Sequence, residues 1–200
     1  MKLREIQLIT KTVYIIIMMG LFYPLFSPVV SDKDHGFLSM SVLGEAGSTS
    51  NYFMNETSVT SINTLNNWTI RVSNQREKLT YITVKVKITG SNLEQPDIAT
   101  YTPSTATTIY QASRVLKGSE RIALPFKWGL TAISEQGLID SMTINGETIQ
   151  VNEGLDADMS GKLIFELWVY DPATEDISFK INQGDDYTCV WNQINFKAVS

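Results

Sequence analysis

The stretch Ile82-Thr-Val-Lys-Val-Lys-Ile-Thr89, ITVKVKIT, alternates without a break. Ile82, Val84, Val86 and Ile88 fall on one side, and Thr83, Lys85, Lys87 and Thr89 on the other. On a helix the four aliphatic residues would scatter around the axis. On a strand, where successive side chains point to opposite faces, they form one apolar stripe. The expectation is a strand with one face on a core and the other in water, so Lys85 and Lys87 beside Thr83 read as a solvated face.

The same period recurs in both directions. Upstream, Trp68, Ile70 and Val72 alternate with Thr69, Arg71 and Ser73, and Leu38, Met40 and Val42 alternate with Ser39 and Ser41. NQREK, residues 74–78, is a polar connection of hairpin length. Downstream, Ile122, Leu124, Phe126 and Trp128 make another strand face, in which Pro125 cannot donate to a ladder and implies an edge or a bulge. In SMTINGETIQV, Asn145-Gly146 separates two alternating arms, the strongest short-range hairpin signal, because a type I′ turn needs positive φ twice. KLIFELWVY and ISFKIN, joined by the Asp171-Pro172-Ala173-Thr174 turn, read as a second long hairpin, and the last strand falls within YTCVWNQINFKAV.

Eight or nine short strands thus follow one another, with no amphipathic helix among them. This pattern predicts an all-β fold, an antiparallel immunoglobulin-like β-sandwich, as one domain over residues 37–198. Residues 90–114, rich in Ser, Thr and Pro, read as a long loop with at most a short irregular strand near Ile109.

The N-terminus is of another kind. Residues 13–30, VYIIIMMGLFYPLFSPVV, carry no charge and follow Lys2, Arg4 and Lys11. A basic start before an uncharged apolar run is read as an export signal with its positive end in the cytoplasm. Residues 1–31 are therefore either a single-pass membrane anchor, an N-terminal hydrophobic helix, or a leader cut after Ser31, with Val29 and Ser31 at the positions a signal peptidase inspects. Pro24 and Pro28 weaken the far end as regular helix. Both readings place the sandwich outside the cytoplasm, at the extracytoplasmic face of the membrane if anchored and secreted if cut.

Charge and cysteine narrow the function classes. The chain has 16 Lys+Arg against 21 Asp+Glu, and without residues 1–31 the ratio is 13 to 20. An acidic surface repels phosphate backbones, so nucleic acid is not an expected partner. Cys189 stands alone, so no intramolecular disulfide forms and the core must hold the domain.

The order of features, from FLSMSVLGEAG through NNWTIRVSNQREK and YQASRVLKGSERIALPFKW to GKLIFELWVYD, resembles an archaeal membrane-protein family known as a numbered domain of unknown function. The matching positions are Leu43 and Gly44, Tyr52, Asn74, Leu116 with Gly118 and Glu120, and Lys162, Leu163, Phe165 and Leu167. The resemblance spans roughly residues 37–196 and implies an extracytoplasmic sandwich, with no catalytic residue or cofactor. Typical members carry several transmembrane helices before the sandwich, whereas this chain has room for one.

Candidate chemistry is sparse. His35 is the sole histidine, which leaves Ser-His-Asp, copper and zinc sites without ligands. Asp156, Asp158 and Ser160, followed by Gly161, resemble the first half of a calcium loop. The twelfth position is Leu167 where a bidentate Glu belongs, with Glu153 upstream as a substitute, and the competing reading is a polar turn. Asn55 and Asn67 head two glycosylation sequons. Trp168 and Tyr170, on the second face of KLIFELWVY, are either covered by the 90–114 segment or exposed to a partner subunit or a sugar.

The sequence reading is a non-enzymatic, membrane-tethered extracytoplasmic β-sandwich for cell-envelope assembly, adhesion or support. Its competitor is a secreted module binding glycan or calcium.

Overall fold

The structure, a computed structural model, describes residues 36–53, 58–90, 95–183 and 186–199. The predicted N-terminal helix, the anchor or leader at 1–31, His35 and the Asn55 sequon lie outside the described residues. In chain order the strands are β1 Leu38–Leu43, β2 Val59–Ser61, β3 Asn66–Asn74, β4 Thr80–Gly90, β5 Thr107–Leu116, β6 Arg121–Ile133 and β7 Leu138–Ile144. They continue as β8 Glu147–Gly154, β9 Ser160–Asp171, β10 Asp176–Ser178, β11 Ile181–Gln183, β12 Asp186–Thr188 and β13 Val190–Val199.

Two sheets pack as a β-sandwich. Sheet one runs β1-β3-β6-β7-β8, sheet two runs β2-β13-β9-β4-β5 with β10 beside β9, and β11-β12 form a small ribbon. Every pairing is antiparallel except the short parallel contact of β2 with β13. The aliphatic stripe of ITVKVKIT faces inward as expected, with Ile82, Val84, Val86 and Ile88 all buried. Rings join the sheets: Phe165 on β9 lies 6.2 Å from Trp68 on β3 and 5.6 Å from Phe126 on β6. Trp68 and Trp128 meet edge to face at 5.1 Å, a favoured aromatic geometry.

Several local expectations change. β4 is central in sheet two and buried on both faces, because β5 and β9 flank it and residues 95–106 cover its outer side. Thr83, Lys87 and Thr89 are all buried, so the solvated face predicted for Lys85 and Lys87 is corrected. The predicted 90–114 loop is also corrected, because β5 occupies Thr107–Leu116 along β4. Its alternation escapes notice because the register shifts between Val86 and Lys87, where Val86 pairs Tyr110 and Lys87 pairs Thr108, leaving Ile109 as the extra bulge residue. NQREK joins no hairpin, since β3 and β4 belong to opposite sheets and the connection arches across the sandwich. The second long hairpin shrinks to the three-residue β10, after which the chain leaves β9 for the β11-β12 ribbon.

Two turn readings hold. Pro125 faces Thr69 of β3, while β7 joins β6 only from Trp128 onward, so the proline occupies a locally free edge. Asn145 (φ 51°) and Gly146 (φ 92°) make the two-residue turn between β7 and β8. Asn145 also fixes the turn to β6, its Oδ1 accepting the Lys127 N–H at 2.8 Å. A Cβ on Gly146 would touch nothing, so Gly146→Ala carries only the backbone penalty. The expected cost is about 1 kcal/mol, read as a lower urea midpoint with unchanged slope.

Candidate functional site

The most heavily built polar cluster lies on the outer face of sheet two, where the sequence reading expected water. Lys85 faces Glu166 directly in the β4–β9 register, and Thr83 faces Trp168. The side chains cross this register. Lys87 Nζ forms the ion pair with Glu166 Oε2 at 2.9 Å, both groups almost wholly buried, and Lys85 Nζ sits 3.5 Å from the centre of the Trp168 ring. Burial is the main reason the Lys85 ammonium titrates below its ordinary range; Lys87 adds to this, while Glu166 and Asp176 oppose it.

Glu166 collects two further donors. Its Oε1 accepts the Ser104 N–H at 2.8 Å and its Oε2 accepts Trp168 Nε1–H at 3.0 Å. Lys87 Nζ in turn donates to the Ser104 carbonyl. A buried carboxylate is tolerated only when its oxygens are satisfied, and three donors do that here. Chemically the cluster is a fastener that ties residues 95–106 down over β4 and β9. A sequence signal for it did exist: Glu166 is a lone carboxylate inside the apolar run LIFELWVY, and such a group requires a cation nearby.

Beside the fastener a shallow cleft of about 440 Å³ is lined by Tyr101, Pro103, Trp168, Asp176, Phe179 and Lys180. Trp168 is half-buried, with Phe179 at 5.8 Å and Lys85 over its ring. Lys180 Nζ lies 3.8 Å from the Tyr187 ring centre. Tyr170 is 42% exposed and pairs with Ile177 of β10. Near it, Tyr81 and Val115 face each other across β4 and β5, and Leu79 precedes β4. All four are exposed, so the apolar surface gathers at Tyr170 and these neighbours, while Trp168 is mostly covered.

The other sequence candidates fall elsewhere. Asp156, Asp158 and Ser160 form the crossing from β8 in sheet one to β9 in sheet two. Asp156 N–H donates to the Ser160 carbonyl at 3.0 Å, and Met159 adopts φ 63°. Ser160 Oγ donates to Asp158 Oδ2 at 2.9 Å, and this bond holds the Asp158 carboxyl below its usual range. Among the described residues, no three His, Cys, Asp or Glu side chains gather where they could hold a metal ion. Asn67 lies inside β3; its side chain is exposed and its N–H donates to Glu45 Oε1 at 3.0 Å. No helix of the described residues is long and apolar enough to cross a membrane.

Cys189 is buried just before β13, and that burial raises its thiol pKa, with Asp97 and Glu166 adding to the effect. Since the thiolate is the reactive form, alkylation by iodoacetamide is expected to be slower at pH 7 than for a free cysteine. Its rate should still be climbing above the pH at which ordinary thiols level off. A plateau at the ordinary thiol pKa would show the side chain to be solvated.

No family model and no curated protein matches the sequence. Among solved structures, the chain is similar to the CARDB domain of a Pyrococcus furiosus protein in complex with di-metal ions. The identity is 12% over 83% of this chain and 96% of that one, with a TM-score of 0.42. It is also similar to a β-glucosidase from Listeria innocua in complex with glucose, at 9% identity over 88% of this chain and 18% of that one, TM-score 0.41. A β-glucosidase from Erythrobacter marinus matches at 9% identity over 82% and 16% of the two chains, TM-score 0.38. None of these likenesses carries an argument about ligand or activity.

Proposed function

We propose that this chain is a membrane-tethered, extracytoplasmic immunoglobulin-like sandwich that works by contact at the cell envelope and performs no chemistry of its own. The observation that carries this reading is the exposed apolar group Leu79, Tyr81, Val115 and Tyr170, which spans β4, β5 and β9 beside the free edge of β5. Contiguous apolar surface of this kind, next to unpaired strand N–H and C=O groups, suits recognition of another protein.

Strand order supports the immunoglobulin-like assignment. Reading β1, β3, β4, β5, β6, β9 and β13 as A, B, C, C′, E, F and G, sheet one holds A-B-E and sheet two holds G-F-C-C′. The β7–β8 hairpin is the addition, placed beside E. Gly44 and Gly118, two of the positions on which the resemblance to the archaeal family rests, lie where the chain packs closely against backbone. A Cβ on Gly44 would lie 2.3 Å from the Asn51 carbonyl oxygen, and one on Gly118 would lie 2.5 Å from that of Glu77.

The test is protease shaving of intact host cells, followed by intact-mass measurement of the chain from membranes and from medium. Full-length chain in membranes, cleaved from outside, supports the tethered reading. A chain beginning at Asp32 in the medium favours the secreted alternative. A chain protected inside intact cells overturns both. Mass in hexose-sized steps would report glycan on Asn55 or on the exposed Asn67.

A further inference from the structure

We propose that the outer face of sheet one binds a phosphate group between Arg71 and Arg121. A trough of about 590 Å³ is lined there by Phe37, Ser39, Ser41, Arg71, Ser73 and Arg121 among others. Register creates it. Ser41, Arg71 and Ala123 form one cross-strand row over β1, β3 and β6, and Ser39, Ser73 and Arg121 form the next row on the same face. The two arginines are therefore diagonal neighbours on adjacent strands, about 7–8 Å apart at their roots. Ala123 leaves the space beside Arg71 open, and β6 has no neighbour at this end because β7 begins pairing at Trp128.

Arg71 and Arg121 line the same trough. No Asp or Glu lines the trough, although the chain carries 21 of them. Neither Arg71 nor Arg121 has a carboxylate partner among the described residues, and both are exposed. Ser73 Oγ accepts a hydrogen bond from Gln75 Nε2, which leaves the serine its own proton to give. Two guanidinium forks, with three serine hydroxyls that can each donate a proton, suit a tetrahedral oxyanion that can take bidentate bonds from each side. On an acidic chain such a spot selects a small anion, since a polyanion would meet the negative surface around it. The inference is independent of the proposed function, because free phosphate and a lipid headgroup present the same group.

The experiment uses the full-length chain in uncharged detergent and reads 31P linewidths. The probes are inorganic phosphate and, separately, dihexanoyl phosphatidylglycerol below its micelle concentration. Native chain is expected to broaden the probe resonance in a salt-sensitive way, and Arg71→Gln/Arg121→Gln is expected to weaken binding at least tenfold at an unchanged unfolding midpoint. Broadening of inorganic phosphate supports a soluble source, and broadening of the lipid alone supports a headgroup, provided the double variant abolishes it. No broadening of either probe, broadening that survives in the double variant, or equal competition by acetate would overturn the proposal.

Discussion

Lys87→Met is expected to destabilise the domain by about 3–5 kcal/mol, the range for removing one partner of a buried ion pair. Methionine fills most of the lysine volume, so the loss is not a cavity effect. It arises because Glu166, which is fully buried, loses the cation that its Oε2 pairs with and is left with the Ser104 and Trp168 N–H groups as its hydrogen-bond donors. Lys87→Met/Glu166→Gln removes both charges and retains an oxygen for Ser104 N–H, so much of the loss should return. Urea unfolding of the two single variants and the double variant measures the coupling. Segment 95–106 should also become cleavable by protease in Lys87→Met, because Ser104 is held by both partners. A cost under about 1 kcal/mol would mean that the pair is effectively solvated, as exposed pairs are.

That pair also marks where the sequence stops being legible. ITVKVKIT announces a strand and its inward face correctly, since period 2 depends only on backbone geometry. What covers the other face depends on a segment far along the chain. Ser104 is 62 residues from Glu166, and no local pattern connects them. Lys85 and Lys87 look alike in the sequence and differ in the structure only because one reaches an indole ring and the other a carboxylate. β5 was hidden by the Ile109 bulge, which breaks the alternation that would have announced it. Asn145-Gly146 was readable because its signal is confined to two residues. The Arg71–Arg121 trough was invisible, as it exists only once β3 and β6 pair in the register that sets Ser73 against Arg121. NQREK has the length of a hairpin loop, and length alone does not say whether a chain turns back within its sheet or crosses to the other.

Asn74 braces the NQREK crossing, and its removal carries the second large expected effect. Asn74 is fully buried at the end of β3. Its Nδ2 donates to the Lys78 and Lys117 carbonyls, each at 2.9 Å, and its Oδ1 accepts the Arg76 N–H at 3.1 Å. One side chain thus ties the β3–β4 arch to the β5–β6 arch, where Ser119 N–H also donates to the Arg76 carbonyl at 3.1 Å. Asn74→Ala would remove the side-chain partners of the Lys117 carbonyl and the Arg76 N–H, and one of two from the Lys78 carbonyl, which keeps Thr80 Oγ1 at 3.4 Å. At about 1–3 kcal/mol for each hydrogen-bonding partner lost without replacement, a total of about 2 kcal/mol or more is expected. Asn74→Asp separates this account from a simple packing loss. The aspartate keeps the acceptor for Arg76 and the side-chain shape, but directs a charged oxygen at the Lys78 and Lys117 carbonyls. It should therefore be less stable than the alanine variant despite being the closer isostere. Urea midpoints of the two variants decide the matter. An aspartate variant more stable than alanine would mean that the carbonyls find their donors elsewhere, and the two arches would then be held by Gly118 contact and backbone bonds alone.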